Sequence, residues 1–106
     1  MRLVKMSELE VRTPVAGYNG RFVHGEKVTV AYWDVAEGAA LPAHSHPHEQ
    51  VVNIMDGEFE LVVDGATVRM AAGMAFAIPG GVFHSGRALT PCRIIDVFSP
   101  VREDYR

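Results

Sequence analysis

The stretch Gly38-Ala39-Ala40-Leu41-Pro42-Ala43-His44-Ser45-His46-Pro47-His48-Glu49-Gln50 determines how the rest of this chain is interpreted. It contains three of the five histidines of the sequence within five residues. His44 and His46 are two residues apart, so on a β-strand their side chains leave the same face and can bind one divalent metal ion. Gln50 follows closely enough to return from a turn as a further ligand, and His84 is a distant candidate. The pattern predicts one metal site built from two separate segments.

Two spaced motifs resemble those of the cupin family. The resemblance implies a double-sheet jelly roll that holds a metal ion between its sheets. The chain departs from the usual pattern at Gln50, where cupins commonly have Glu, and at Ala88, where they commonly have Asn. The first motif consists of Gly38, His44, His46, Gln50 and Gly57, and the second of Gly73, Pro79, Gly81 and His84.

The cupin resemblance implies four metal ligands, His44, His46, Gln50 and His84. Imidazole suits several divalent metals, so nickel, zinc, manganese and iron all stay open. Unlike Glu, a neutral Gln50 leaves the full charge of the ion uncompensated. The ion is then a stronger Lewis acid and binds an anionic ligand more strongly. Glu49 is the alternative to Gln50, because a slip of one residue would bring its carboxylate to the metal.

From Gly20 onward the chain consists of short β-rich runs separated by turn signals, with no long helical period. Such a pattern predicts an all-β sandwich or barrel, which the cupin motifs narrow to a double-stranded β-helix in a single domain, residues 1–106. Asp56-Gly57 and Asp64-Gly65 are typical of hairpin turns. The nine predicted strands are Arg21–His24, Lys27–Ala36, Leu41–His46, Gln50–Asp56, Glu58–Val63, Thr67–Met70, Ala75–Ile78, His84–Arg87 and Arg93–Phe98.

Composition excludes several classes of partner. The net charge of −3 argues against a nucleic-acid surface, which needs a basic face. No apolar run is long enough to cross a bilayer, so no membrane partner is expected. A single cysteine suits a reducing compartment, and the N-terminus lacks the apolar run of a signal peptide. These features together predict a cytoplasmic protein.

Residues 1–19 are weakly patterned and are interpreted as an N-terminal arm. Ser7 is expected to cap a short helical turn over residues 7–10. Small jelly rolls leave sheet edges to cover, and an arm of this kind can add a strand to a neighbouring subunit. We therefore expect a homodimer with the arm at its interface.

The run Arg93–Phe98 contains a carboxylate in an otherwise apolar strand. Ile94, Asp96 and Phe98 share one face and Ile95 and Val97 the other, so the strand is predicted to be buried on both sides. A buried carboxylate costs several kcal/mol unless it is paired or hydrogen-bonded. Asp96 is therefore either a functional acid or one side of a structural salt bridge, with Arg102 or Arg93 as partner. Spacing alone does not separate the two interpretations.

The runs His44–Gln50 and Asp96–Tyr105 together resemble KdgF, a group of small cupins of pectin and alginate breakdown in which Gln is the usual fourth ligand. This resemblance implies an enzyme that converts 4,5-unsaturated monouronates, which are small anionic sugars, into linear ketonised sugar acids. It also implies an acid–base role for Asp96, carboxylate binding by Arg102 and packing against the sugar by Phe98. A cupin dioxygenase and a non-catalytic sugar-binding cupin are the alternatives.

Overall fold

In a computed structural model that describes residues 1–106, the chain forms ten β-strands and no α-helix. The only helical elements are two 3-10 turns, at Met6–Glu8 and Glu103–Tyr105. No helix is long and apolar enough to span a membrane. The strands are β1 (Arg12–Val15), β2 (Tyr18–His24), β3 (Thr29–Val35), β4 (Ala40–His44), β5 (Glu49–Asp56), β6 (Glu58–Val63), β7 (Ala66–Ala71), β8 (Ala75–Ile78), β9 (His84–Ala88) and β10 (Cys92–Ser99).

The strands form two antiparallel sheets, as the all-β prediction requires. One sheet has six strands in the order β1-β2-β3-β10-β5-β8, and the other has four in the order β4-β9-β6-β7. Alternate side chains of each strand point between the sheets and make the core. In β6, for example, Phe59, Leu61 and Val63 are buried while Glu60 is half-buried on the other face. The alternation of apolar and polar residues in the sequence therefore matches the alternation of buried and more exposed side chains in the strand.

The topology brings the two histidine motifs together. His44, the last residue of β4, pairs in register with His84, the first residue of β9. The six-stranded sheet faces these two strands, and within it Gln50 on β5 pairs with Phe98 on β10. Asp96 lies two residues before Phe98, so its side chain points to the same inner face. Residues from four strands of two sheets thus converge at one end of the sandwich.

The nine predicted strands all exist, with ends shifted by at most three residues, but the arm contains a tenth. Strand β1 pairs with β2 at the edge of the six-stranded sheet. The short turn in the arm spans Met6–Glu8 with Lys5 at its N-cap, so the prediction that Ser7 caps it was wrong. Asp64-Gly65 joins β6 to β7 as a hairpin, with Val63 opposite Ala66.

Asp56-Gly57 is not a hairpin turn, because β5 and β6 belong to different sheets. Gly57 carries the chain from one sheet to the other with φ +93°, a conformation that favours glycine. A Cβ atom at this position would also collide with the backbone oxygen of Pro91. The prediction of a turn at Asp56-Gly57 was therefore correct, but the prediction of a hairpin was wrong, because tertiary packing decides which strands the turn connects.

Candidate metal centre and acid–base site

Three histidines meet between the sheets. His44 and His84 are neighbours on paired strands, and His46 lies just beyond the end of β4. Their ring centroids are 4.3 Å apart for His44 and His84 and 5.0 Å for His46 and His84. One nitrogen from each ring lies within 4.8 Å of the others, so this histidine triad could hold a metal ion.

Each ring is held by a main-chain carbonyl two residues away. Nδ1 hydrogen-bonds to the oxygen of Pro42 at 2.8 Å in His44, of His48 at 3.0 Å in His46, and of Val82 at 3.0 Å in His84. A carbonyl oxygen only accepts, so each Nδ1 carries the proton and each Nε2 has a free lone pair. The Nε2 atom of His84 is buried and has no hydrogen-bond partner. This is the tautomer that a metal-binding histidine requires.

Gln50 adds an acceptor to the triad. Its Oε1 lies 3.0 Å from Nε2 of His46, and the side chain is buried. Burial, and next the charge of Arg102, lower the His46 pKa to about 4, so no proton resides on Nε2 at neutral pH. Two acceptors at this distance repel unless a cation lies between them. The donor set His44, His46, Gln50 and His84 therefore fits a divalent ion, whereas the alternative ligand Glu49 is exposed.

Asp96 is buried on β10 and forms no ion pair. Trp33 Nε1 donates to Oδ2 at 3.0 Å, while Oδ1 is buried without a hydrogen bond of normal geometry. Burial raises the pKa of Asp96 to about 6, and the Gln50 amide, the Trp33 indole and the Arg102 charge oppose the rise. A carboxyl group with this pKa exchanges protons readily near neutral pH.

The salt-bridge interpretation of Asp96 does not match the contacts. Arg93 pairs with exposed Asp34 at 3.4 Å. Arg102 donates from Nε and Nη2 to Asp104 at 2.9 and 2.7 Å. Both arginines named as partners from the sequence are therefore paired elsewhere.

The Arg102 guanidinium packs against two aromatic rings that also contact each other. Its central carbon is 4.7 Å from the centre of the Phe98 ring and 4.4 Å from that of Tyr105. The Asp104 fork occupies one edge of the guanidinium, which leaves Nη1 free for another acceptor. The acid–arginine wall, defined as Asp96, Phe98 and Arg102, lines one small cavity together with His44, and the Phe98 ring lies 5.7 Å from the ring of His46. This cavity has a volume of about 40 Å³, and its lining includes His44, Gln50, Asp96, Phe98 and Arg102.

Comparison with known proteins identifies the family to which this chain belongs. The sequence matches the family model of the cupin domain over residues 31–98. The chain belongs to the cupin family. No curated protein matches the sequence.

Solved structures similar to this cupin extend the comparison. KdgF from Halomonas sp. is 27% identical with a TM-score of 0.92, covering 100% of this chain and 99% of that one. An RmlC-like cupin from Shewanella frigidimarina is 28% identical with a TM-score of 0.93, covering 100% and 96%. The polyketide cyclase RemF from Streptomyces resistomycificus, 20% identical with a TM-score of 0.79 over 93% and 79%, shares the fold alone.

Sequence reasoning missed several residues of this cupin site. Trp33 belongs to the core, and its indole also donates to the carboxylate of Asp96. Tyr18 lines the same cavity, and its hydroxyl is buried without a hydrogen-bond partner. Asp104 and Tyr105 hold Arg102 in place. The Trp33 contact joins distant parts of the chain, whereas Asp104 and Tyr105 lie two and three residues after Arg102 and hold it through local contacts.

Proposed function

We propose that this cupin opens the ring of 4,5-unsaturated monouronates and yields linear ketonised sugar acids. The observation that carries the proposal is a buried acid with a pKa of about 6 that lines one cavity together with Arg102 and with His44 and Gln50 of the candidate metal centre. The full-length similarity to KdgF supports the same reaction class. Similarity of fold alone would not, because cupins host many chemistries.

The reaction is an isomerisation, so only protons and electron pairs move. The anomeric hydroxyl loses its proton, a carbonyl forms at C1, and the bond from C1 to the ring oxygen breaks. The electron pair stays on that oxygen as an enolate, which becomes the C5 ketone when C4 takes up a proton. One proton leaves and one arrives, so no co-reactant is needed.

Asp96 is the residue suited to the proton transfer. At neutral pH most of a carboxyl population with a pKa of about 6 is ionised and can accept the anomeric proton. Its Oδ1 atom makes no hydrogen bond of normal geometry and is available, while Trp33 fixes Oδ2. The same carboxyl group, once protonated, can return a proton to the substrate.

Arg102 is suited to binding the substrate carboxylate. Its Nη1 is free, and its position is fixed by the Asp104 fork and by the rings of Phe98 and Tyr105. Phe98 therefore contributes by supporting the guanidinium, besides any contact with the sugar. A divalent ion held by His44, His46, Gln50 and His84 would supply Lewis-acid polarisation of a substrate oxygen.

Substrate binding requires movement in this proposal. The cavity has room for about one water molecule, and a monouronate is much larger. Pro14 and Val15 of the arm and Tyr105 of the tail are among the residues that line the cavity. An outward shift of these residues would admit the sugar, and their return would exclude water.

The test is incubation of metal-loaded protein with a freshly prepared 4,5-unsaturated monouronate. Loss of the ultraviolet absorbance of its conjugated double bond should exceed the spontaneous rate, and the metal-loaded Asp96→Asn variant is the matched control. Equal rates with wild type, variant and buffer would refute the proposal. Oxygen uptake during the reaction would favour a dioxygenase instead.

A further inference from the structure

Tyr18, the first residue of β2, carries a buried hydroxyl group that has no partner inside the protein. The residue is 5% exposed, and its hydroxyl oxygen makes no hydrogen bond. Burying a hydroxyl group without a partner costs free energy, because water would satisfy both its donor and its acceptor positions. Tyr18 lines the same cavity as Asp96 and Arg102. An unpaired polar group in such a place indicates a function that is exercised when the cavity is occupied.

The ring of Tyr18 is fixed among the aromatic residues of the core. It packs edge-on against the ring of Trp33, with ring centres 5.9 Å apart and planes at 84°. Trp33 in turn donates to Asp96 at 3.0 Å. The same indole therefore contacts both the phenol and the carboxylate, which positions the two groups relative to each other before a substrate binds. A donor held in this way needs no reorganisation when charge develops in the substrate.

The hydroxyl group of Tyr18 acts as a donor and not as a base. Burial, and next the charge of Asp96, raise the pKa of Tyr18 well above its ordinary value. The phenol therefore keeps its proton at neutral pH. Opening of the sugar ring creates negative charge on the ring oxygen, which becomes an enolate when its bond to C1 breaks. A neutral donor with no other partner is the kind of group that stabilises such an oxyanion.

The other polar groups of the cavity already have partners or roles. Trp33 donates to Asp96, and the free nitrogen of Arg102 is suited to the substrate carboxylate. An ionised Asp96 only accepts hydrogen bonds. Tyr105 is half-buried, and its ring packs on the guanidinium of Arg102. Among the residues that line the cavity, Tyr18 is the one whose donor is buried and unpaired.

We propose that Tyr18 donates a hydrogen bond to the ring oxygen of the sugar as that oxygen becomes an enolate, an inference that rests on the ring opening proposed above. The hydrogen bond strengthens as negative charge develops, so it stabilises the transition state more than the bound sugar. The phenol keeps its proton throughout. The balance of the isomerisation is therefore unchanged, with one proton lost from the anomeric hydroxyl and one gained at C4.

The test is Tyr18→Phe, which removes one oxygen atom and keeps the ring. With a 4,5-unsaturated monouronate, kcat should fall by about 10²–10³-fold, the usual effect of losing one oxyanion donor, while KM changes little. The Tm of Tyr18→Phe should equal or exceed that of wild type, because the hydroxyl group has no partner to lose. Calorimetry should show that galacturonate, a saturated sugar that forms no enolate, binds wild type and Tyr18→Phe equally.

The matched control is Tyr32→Phe. Tyr32 lies on β3 between the buried residues Ala31 and Trp33, so its side chain points away from the cavity, and its loss should leave kcat unchanged. Tyr105→Phe removes the other phenol of the lining and should lower kcat less than Tyr18→Phe does.

Several results would overturn the inference while the ring opening stands. These are an unchanged kcat in folded, metal-loaded Tyr18→Phe, an equal loss in Tyr32→Phe, a larger loss in Tyr105→Phe, or a weaker affinity of Tyr18→Phe for galacturonate. A lowered Tm with unchanged kcat would assign Tyr18 to the core alone. A wild-type protein that does not turn over the unsaturated sugar would overturn the proposed function, and this inference with it.

Discussion

The histidine triad and the acid–arginine wall both contribute to one cavity but are held in different ways. Each triad ring is fixed by a carbonyl only two residues away in the chain. Asp96 instead depends on Trp33, 63 residues away, and the backbone of Arg102 on the Thr29 hydroxyl, 73 residues away. The triad is therefore held by local contacts, whereas the wall combines the local contacts of Arg102 with Asp104 and Tyr105 with contacts that only the fold supplies.

The two kinds of anchoring correspond to two functions, metal binding by the triad and proton transfer and substrate binding by the wall. Local anchoring orients ligands before any metal arrives, so the triad should bind metal without help from the wall. The wall sets the pKa of an acid and the position of a cation, which matter only when a substrate is present. Metal binding and turnover should therefore respond to different substitutions.

The largest effect is expected from His84→Ala. Loss of one buried imidazole should weaken metal binding by more than about 100-fold, since even indirect ligand contacts are worth 10–100-fold. Turnover should fall to the spontaneous rate. His48→Ala is the control, because His48 lies outside the triad with its Nε2 3.3 Å from the Val101 oxygen. Titration with a divalent metal measures both, and tight binding by His84→Ala would contradict the assignment of the triad.

Asp96→Asn should separate the two halves. An amide keeps the shape but cannot exchange protons, so turnover should drop by about 10²–10⁴-fold. Metal content should not change, because the triad is anchored independently. Turnover close to wild type in a folded, metal-loaded variant would show that Asp96 does not move the proton.

Substitutions around Arg102 should act mainly on substrate binding. Lys keeps the charge but cannot form a fork, so Arg102→Lys should raise KM about tenfold with less change in kcat. Asp104→Asn should have a smaller effect in the same direction, because it loosens the guanidinium. Glu103→Gln is the control, since Glu103 pairs with Arg106 on the surface at 3.2 Å. If KM responds equally to Glu103→Gln, the fork does not position Arg102.

The smallest expected effect is on stability in metal-free protein. Burial raises the Asp96 pKa from 3.8 to about 6, so between these values the folded chain holds a proton that the unfolded chain releases. The free energy of unfolding therefore decreases as pH rises through this window, by on the order of 2–3 kcal/mol. Asp96→Asn lacks this loss and should gain several degrees in Tm relative to wild type between pH 4.5 and 7.5.

Comparison of the two proteins at each pH isolates the Asp96 contribution. Burial lowers the pKa of His46 and His84, which acts in the opposite direction but is common to both proteins. If the difference in Tm between wild type and Asp96→Asn does not change with pH, burial does not raise the pKa of Asp96. The same substitution that removes activity is thus expected to stabilise the fold.

The comparison also explains what the sequence could predict. Alternating side chains and turn residues act locally, and so do the motifs that place His44, His46 and His84, which is why the strands and the triad were found. The hydrogen bond from Trp33 to Asp96 and the one from the backbone of Arg102 to the Thr29 hydroxyl join residues with no local relationship. The same holds for Asp56-Gly57, where a hairpin signal marks a passage between sheets. The prediction that β10 is buried on both sides was wrong for Ile95 and Val97, which are half-buried on the outer face of the sheet.

The main-chain anchors of the triad bear on how such a protein can diverge. Every amino acid carries a carbonyl oxygen, so replacements at positions 42, 48 and 82 that preserve the backbone path leave the imidazoles in place. The wall rests on individual side chains, and a single replacement at Trp33 or Asp104 removes a support. Lineages that share this fold are therefore expected to keep a metal-binding half while exchanging the opposite half, which changes the reaction without rebuilding the protein.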